Sequence, residues 1–132
     1  MATVGVVGAG AVGCLYGGLL AHAGHRVRLL ARTHAAAIAR DGMRVQIANG
    51  AGIAVGAPHL HLVPPHLTAH ADVSRVGPCD WVLVALKTTA FAALPALLPP
   101  LLMPQTRVVV ACNGLGVEDA LLPFVAPDRI FG

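Results

Sequence analysis

Charge is scarce in this chain. Asp, Glu, Lys and Arg together make up 11% of its 132 residues, and Lys87 is its single lysine. The net charge of +3 comes from scattered residues with no basic run, and aromatics are only 4%. A nucleic-acid surface needs clustered Lys and Arg, often interleaved with stacking aromatics, so no nucleic-acid partner is expected. The three cysteines, Cys14, Cys79 and Cys112, are an odd number without C-x-x-C spacing. That argues against a disulfide frame or a zinc site, and they read as small buried hydrophobes in a reducing, cytoplasmic setting. What is plentiful is apolar surface: 56% hydrophobic residues and a mean hydropathy of +0.73. A chain of this length and composition has enough to bury for one domain with a core, which argues against disorder.

Such apolarity raises the question of a membrane. Met1 to Ala21 carries no charged side chain. It lacks the basic start of a secretory signal. As a membrane helix it is interrupted by Gly5, Gly8, Gly10, Gly13, Gly17 and Gly18, which weakens that reading without refuting it. A second uncharged run, Thr88 to Thr106, contains Pro95, Pro99, Pro100 and Pro104 and makes a poor continuous helix. No membrane partner is expected.

The opening stretch makes better sense as strand, turn and helix. "TVGVV" (3–7) is a short apolar run suited to a buried parallel strand. Gly8-Ala9-Gly10-Ala11-Val12-Gly13 follows, then a helix over 11–23 with Gly24 as its stop, then a strand over 26–31. This is a βαβ unit with a G-x-G-x-x-G turn between strand and helix, where a dinucleotide pyrophosphate binds. Gly8 permits the tight turn, Gly10 lets backbone approach the phosphates, and Gly13 lets helix pack near strand. The helix N-terminus offers N–H groups and a positive dipole end to the anion. The stretch is uncharged because backbone, not side chain, holds the ligand.

An NAD-binding unit places an acid about 20 residues beyond this turn, on the ribose 2′-OH. Here that place holds Arg32, and no acid occurs until Asp41. A guanidinium suits a 2′-phosphate, which favours NADP(H); the alternative is that Arg32 merely solvates a strand end.

Residues 33–42 read as a short helix with Thr33 as N-cap and Gly42 as stop. Residues 43–56 read as a hairpin with Asn49-Gly50 at a type I′ turn. His59, His61, His66 and His70 invite a metal reading, but the segment carries Pro58, Pro64 and Pro65, and Asp72 is the only nearby carboxylate. They are expected to be loop and surface histidines, with no metal bound. Beyond them the pattern resumes: a strand over 81–86, a helix broken by prolines over 91–102, a strand over 107–111, a short helix over 116–125 and the start of another strand at 129–132. Alternating strands and helices imply an α/β, doubly wound, mostly parallel sheet.

In such sheets ligands bind beyond the carboxyl ends of the strands. One strand ends in the glycine turn, another in Lys87, another in Cys112-Asn113-Gly114. The Lys87 ammonium can reach a phosphate, a carboxylate or a cofactor hydroxyl there. Asn113 offers both a donor and an acceptor, or else simply stabilises a turn. Cys112 follows a buried strand and reads as inert.

Taken together, "VGVVGAGAVGCLYGGLLAHAGHRVRLLAR", "WVLVALKTTAFAALPALLPPLL" and "VVVACNGLGVEDAL" resemble the N-terminal domain of the ketopantoate reductase (2-dehydropantoate 2-reductase) family over essentially the whole chain. The resemblance implies a Rossmann domain over residues 1–132 and NADPH-dependent reduction of a small keto acid, ketopantoate, to pantoate in pantothenate and coenzyme A biosynthesis. It implies cofactor binding by Gly8, Ala9, Gly10, Ala11, Val12, Gly13, Arg32, Lys87 and Asn113, with Lys87 and Asn113 also facing substrate. The family's proton-donor lysine lies in a C-terminal helical domain, and no residue here matches it. The domain is therefore expected to be truncated at its C-terminal end, to hold NADPH without efficient turnover, and to expose an apolar patch that favours a homodimer or a separate helical-domain partner. A non-catalytic NADP(H)-binding module, a truncated remnant and a related hydroxyacid dehydrogenase are the alternatives.

Overall fold

The computed structural model describes residues 1–47 and 59–132. The chain opens with β1 (Thr3–Val7), α1 (Ala11–His22) and β2 (Arg26–Leu30). After α2 (Ala35–Asp41) come β3 (Met43–Gln46), β4 (His59–Leu62) and β5 (Leu67–His70). The second half holds β6 (Trp81–Val84), a 3-10 segment over Thr88–Ala93, the single-turn α3 (Leu94–Leu97) and a 3-10 turn over Pro99–Leu101. It closes with β7 (Arg107–Val110), a 3-10 turn over Val117–Leu121 and β8 (Ile130–Phe131).

Six strands form one parallel sheet in the order β5-β2-β1-β6-β7-β8, while β3 and β4 pair antiparallel on their own. With that pair set aside, the sheet runs third, second, first, fourth, fifth, sixth strand. This is the doubly wound Rossmann order, and the chain reverses direction across the sheet between β1 and β6. The crevice that this reversal opens lies where Val7 gives way to Gly8 and where β6 runs on towards Lys87.

The central strands are buried on both faces, which is why they read as unbroken apolar runs. On one face Val4, Val6, Val27 and Leu29 meet α1 and the β3–β4 pair. A Cβ on Gly18 would lie 2.7 Å from Val45 Cγ2, so this pair sits directly on the backbone of α1. On the other face Val7, Val82, Val84, Val108 and Val110 pack against Leu94, Leu98, Leu101 and Leu121. Thr106 is the one buried polar side chain among the described residues: its Oγ1 donates to the Cys79 carbonyl at 2.6 Å and accepts from the Met103 N–H at 2.7 Å.

The expected apolar patch is present. Where β1, β6 and β7 meet the start of α1, one sheet face is left partly open, with a cavity of about 440 Å³ lined by Val4, Tyr16, Leu20, Trp81, Leu83 and Val109. Tyr16 and Phe131 are exposed at 48% and 44%, too high for core aromatics. Among the described residues no helix is long and apolar enough to cross a membrane.

Several expectations change. Helix α2 starts at Ala35 with His34, not Thr33, at the N-cap, and no side chain caps it. Met43–Gln46 pairs with His59–Leu62, further along than the expected hairpin, and the Asn49-Gly50 turn lies outside the described residues. His59 and His61 are strand residues on the exposed face of β4, not loop residues, and His70 is half-buried at the end of β5. Of the cysteines only Cys79 is buried; Cys14 and Cys112 are half-buried. Burial pushes the Cys79 thiol up to about 11, so it stays protonated and unreactive at neutral pH.

Candidate functional site

The turn after β1 is shaped by two collisions that glycine avoids. Gly8 has φ +111, and a Cβ there would lie 2.6 Å from the Ala85 carbonyl oxygen on the neighbouring strand. Gly13, in the first turn of α1, would place a Cβ 1.9 Å from the Gly8 carbonyl oxygen. Gly10 differs: nothing lies within 4 Å of the Cβ position, so its bare backbone faces open space. Turn and helix are thus locked together, and the remaining glycine leaves room for a ligand against the main chain.

That room lies at the start of α1. Helix α1 has no side-chain cap and no acidic residue in its first turn. Its first internal bond runs from the Cys14 N–H to the Gly10 carbonyl at 2.9 Å, which leaves the N–H groups of Ala11, Val12 and Gly13 to face a ligand. Beside the turn is a cleft of about 310 Å³ lined by Gly8, Ala9, Leu30, Arg32, His34 and Leu86, with Thr33 and the apolar Ala90, Ala93 and Leu97 completing it. No carboxylate lines it. The structure therefore brings the glycine turn and Arg32 together.

Lys87 and Asn113 are exposed at the same carboxyl edge, just after β6 and β7, and do not line this cleft. Asn113 leads into Gly114 at φ +131, so the backbone turns sharply beside it. Burial, then Glu118, raises the Cys112 thiol, and burial raises that of Cys14; neither is poised as a nucleophile. His34 and the cleft wall from Ala90 to Leu97 were not foreseen. The signals for them were the place of His34 two residues beyond Arg32 and the apolar i, i+3, i+7 spacing after Lys87.

Among the described residues no three His, Cys, Asp or Glu side chains group to hold a metal. His61 Nε2 donates to the Asp41 carbonyl at 2.9 Å, a structural use of the ring. Burial, with Arg28 and Arg75 nearby, lowers the pKa of His70, whose Nε2 pairs with Thr68 Oγ1 at 3.1 Å.

The family model for ketopantoate reductase PanE/ApbA matches residues 4–132. The chain belongs to that family. It is similar to 2-dehydropantoate 2-reductase from Nostoc sp., 35% identical over 96% of this chain and 37% of the relative. The crystal structure of 2-dehydropantoate 2-reductase from Geobacter metallireducens superimposes with a TM-score of 0.83 at 37% identity, covering 97% of this chain and 39% of that one. A glycerol-3-phosphate dehydrogenase [NAD(P)+] from Halorhodospira halophila is 36% identical over 89% of this chain and 32% of its own length. The chain thus spans less than half the length of these relatives. The ketopantoate reductase family accounts for the doubly wound sheet and for the order of the motifs along it.

Proposed function

We propose that residues 1–132 form an NADP(H)-binding domain and supply the cofactor-binding half of an NADPH-dependent 2-dehydropantoate 2-reductase. The observation that carries this reading is the cleft itself: Gly8 and Ala9 of the glycine turn and Arg32 line it together with no carboxylate, and the turn leads into an uncapped helix. The turn suits a pyrophosphate, and the absence of an acid beside Arg32 suits a phosphorylated ribose. The likeness to a glycerol-3-phosphate dehydrogenase supports a shared cofactor role, while the keto-acid substrate rests on the family.

When bound, NADPH supplies a hydride for a ketone carbon. The residues of this chain do the holding. The N–H groups of Ala11, Val12 and Gly13, after Gly8-Ala9-Gly10, seat the pyrophosphate, and Arg32 pairs with the 2′-phosphate. Lys87 and Asn113, on neighbouring strand ends, address the nicotinamide ribose and the keto acid with a cation and an amide.

Calorimetric titration with NADPH and NADH tests the cofactor half. The chain is expected to bind NADPH more tightly than NADH. Arg32→Ala is expected to weaken NADPH about 30-fold and change NADH less than about twofold, because only NADPH carries the phosphate that a guanidinium pairs. Equal affinity for both cofactors, unchanged in the variant, would overturn the assignment to NADP(H).

A further inference from the structure

We infer that His34 is a second partner of the cofactor 2′-phosphate beside Arg32, so that the preference for NADPH strengthens as pH falls. This rests on the reading of the cleft as an NADP(H) site.

The first observation is a local rule broken. Helix N-caps favour Ser, Thr, Asp or Asn, whose side chains bond the first-turn N–H groups. The N-cap of α2 is His34, which makes no such bond, while Thr33 stands one residue too early. The His34 ring is therefore not engaged by the helix start. The second observation is position. His34 lines the 310 Å³ cleft together with Arg32 and also a neighbouring cavity of about 300 Å³ bounded by Ala9, Cys14, Asp41 and Arg44. It stands at the junction of the two, exposed, and its ring has no hydrogen-bond partner among the described residues. The third is the short reach of the loop. The Ala35 N–H bonds the Ala31 carbonyl at 3.2 Å, so residues 32–34 form a tight bend with both basic side chains on one cleft.

The surrounding charge suits an anion. Arg32 comes from the loop and Arg44 from β3. From α2, Asp41 is held by Arg40 at 2.7 Å, which keeps its carboxyl below the ordinary range and compensates its charge. From α1, Cys14 contributes a neutral thiol. Histidine is the side chain whose charge changes near neutrality, and a phosphate beside it favours the protonated ring.

The test is titration of the wild-type chain, His34→Gln and Arg32→Ala with NADPH and NADH at pH 6 and pH 8. The phosphate's own second ionisation falls in this range, but it is common to all three proteins. At pH 6 the wild type is expected to favour NADPH over NADH about fivefold more strongly than His34→Gln does, the scale of one partly exposed ion pair. At pH 8 the two should differ by less than about twofold, with NADH binding unchanged throughout. His34→Asn separates binding from folding: asparagine caps helices well, so its Tm should rise while NADPH preference at pH 6 falls. Equal preference in wild type and both His34 variants at both pH values, with Arg32 still required, would overturn the role of His34 alone. No NADPH preference in the wild type at either pH would overturn the cofactor reading and this inference with it.

Discussion

Gly13→Ala is expected to destabilise the domain by about 3–5 kcal/mol and to abolish NADPH binding, because it forces a methyl group into backbone. The new Cβ would stand 1.9 Å from the Gly8 carbonyl oxygen, 3.1 Å from the carbonyl carbon and 3.3 Å from Val6 Cγ1. None of these is the free end of a flexible side chain. Gly8 has little freedom to adjust: it holds φ +111, and the space where its own Cβ would stand is taken by the Ala85 carbonyl just after β6. Relief requires α1 to lift from β1, which opens the core at Val6 and Val27 beneath Gly17. Urea denaturation checks the stability, and cofactor titration checks the site. Gly10→Ala is the informative contrast. Nothing lies near its Cβ position, so stability should fall by no more than about 1 kcal/mol, the cost of alanine for glycine at this N-cap, while the methyl blocks the approach of a pyrophosphate. A Gly10→Ala chain that binds NADPH like wild type would remove the glycine turn from the cofactor site.

Thr106→Val is expected to cost about 2–4 kcal/mol, although valine matches threonine in shape. Thr106 is fully buried, and its hydroxyl joins two backbone groups, the Cys79 carbonyl ahead of β6 and the Met103 N–H ahead of β7. Valine fills the same space and leaves a buried acceptor and a part-buried donor unpaired, each costing about 1–3 kcal/mol. Thr106→Ser keeps both bonds and loses one methyl, so it should cost about 1 kcal/mol. A lower urea midpoint with an unchanged m-value would show that the loss is in the native state. A Thr106→Val chain as stable as Thr106→Ser would show that the hydroxyl does not tie the two strand starts together.

The strands that the sequence marks most plainly are those near the centre of the sheet. Thr3–Val7, Trp81–Val84 and Arg107–Val110 are near-continuous apolar runs because helical segments cover one side or both. The two it missed are not. Strand β5 lies at the sheet edge and reads Leu-Thr-Ala-His; β4 turns His59 and His61 outward and only Leu60 and Leu62 inward. Four residues of mixed polarity cannot be told from a loop without their partners. The site divides in the same way. The glycine turn and Arg32 depend on adjacent residues, so spacing reveals them. The wall of Ala90, Ala93 and Leu97 is brought to the cleft by the 3-10 segment folding back after β6, a tertiary event that local pattern does not report. Thr33 is the better capping residue, and the chain begins the helix two residues after it all the same.

The proposed grip on the cofactor is made of main chain, whereas the proposed choice between cofactors is made by side chains on a three-residue bend. Point mutations at Gly8 and Gly13 reach the first only by disrupting the fold; of the three glycines, Gly10 alone has room to change. Point mutations reach the second freely, since Arg32, Thr33 and His34 are exposed and carry no core packing. On this reading, evolution can exchange one nicotinamide coenzyme for the other in one or two steps, each through a folded ancestor that still holds the pyrophosphate.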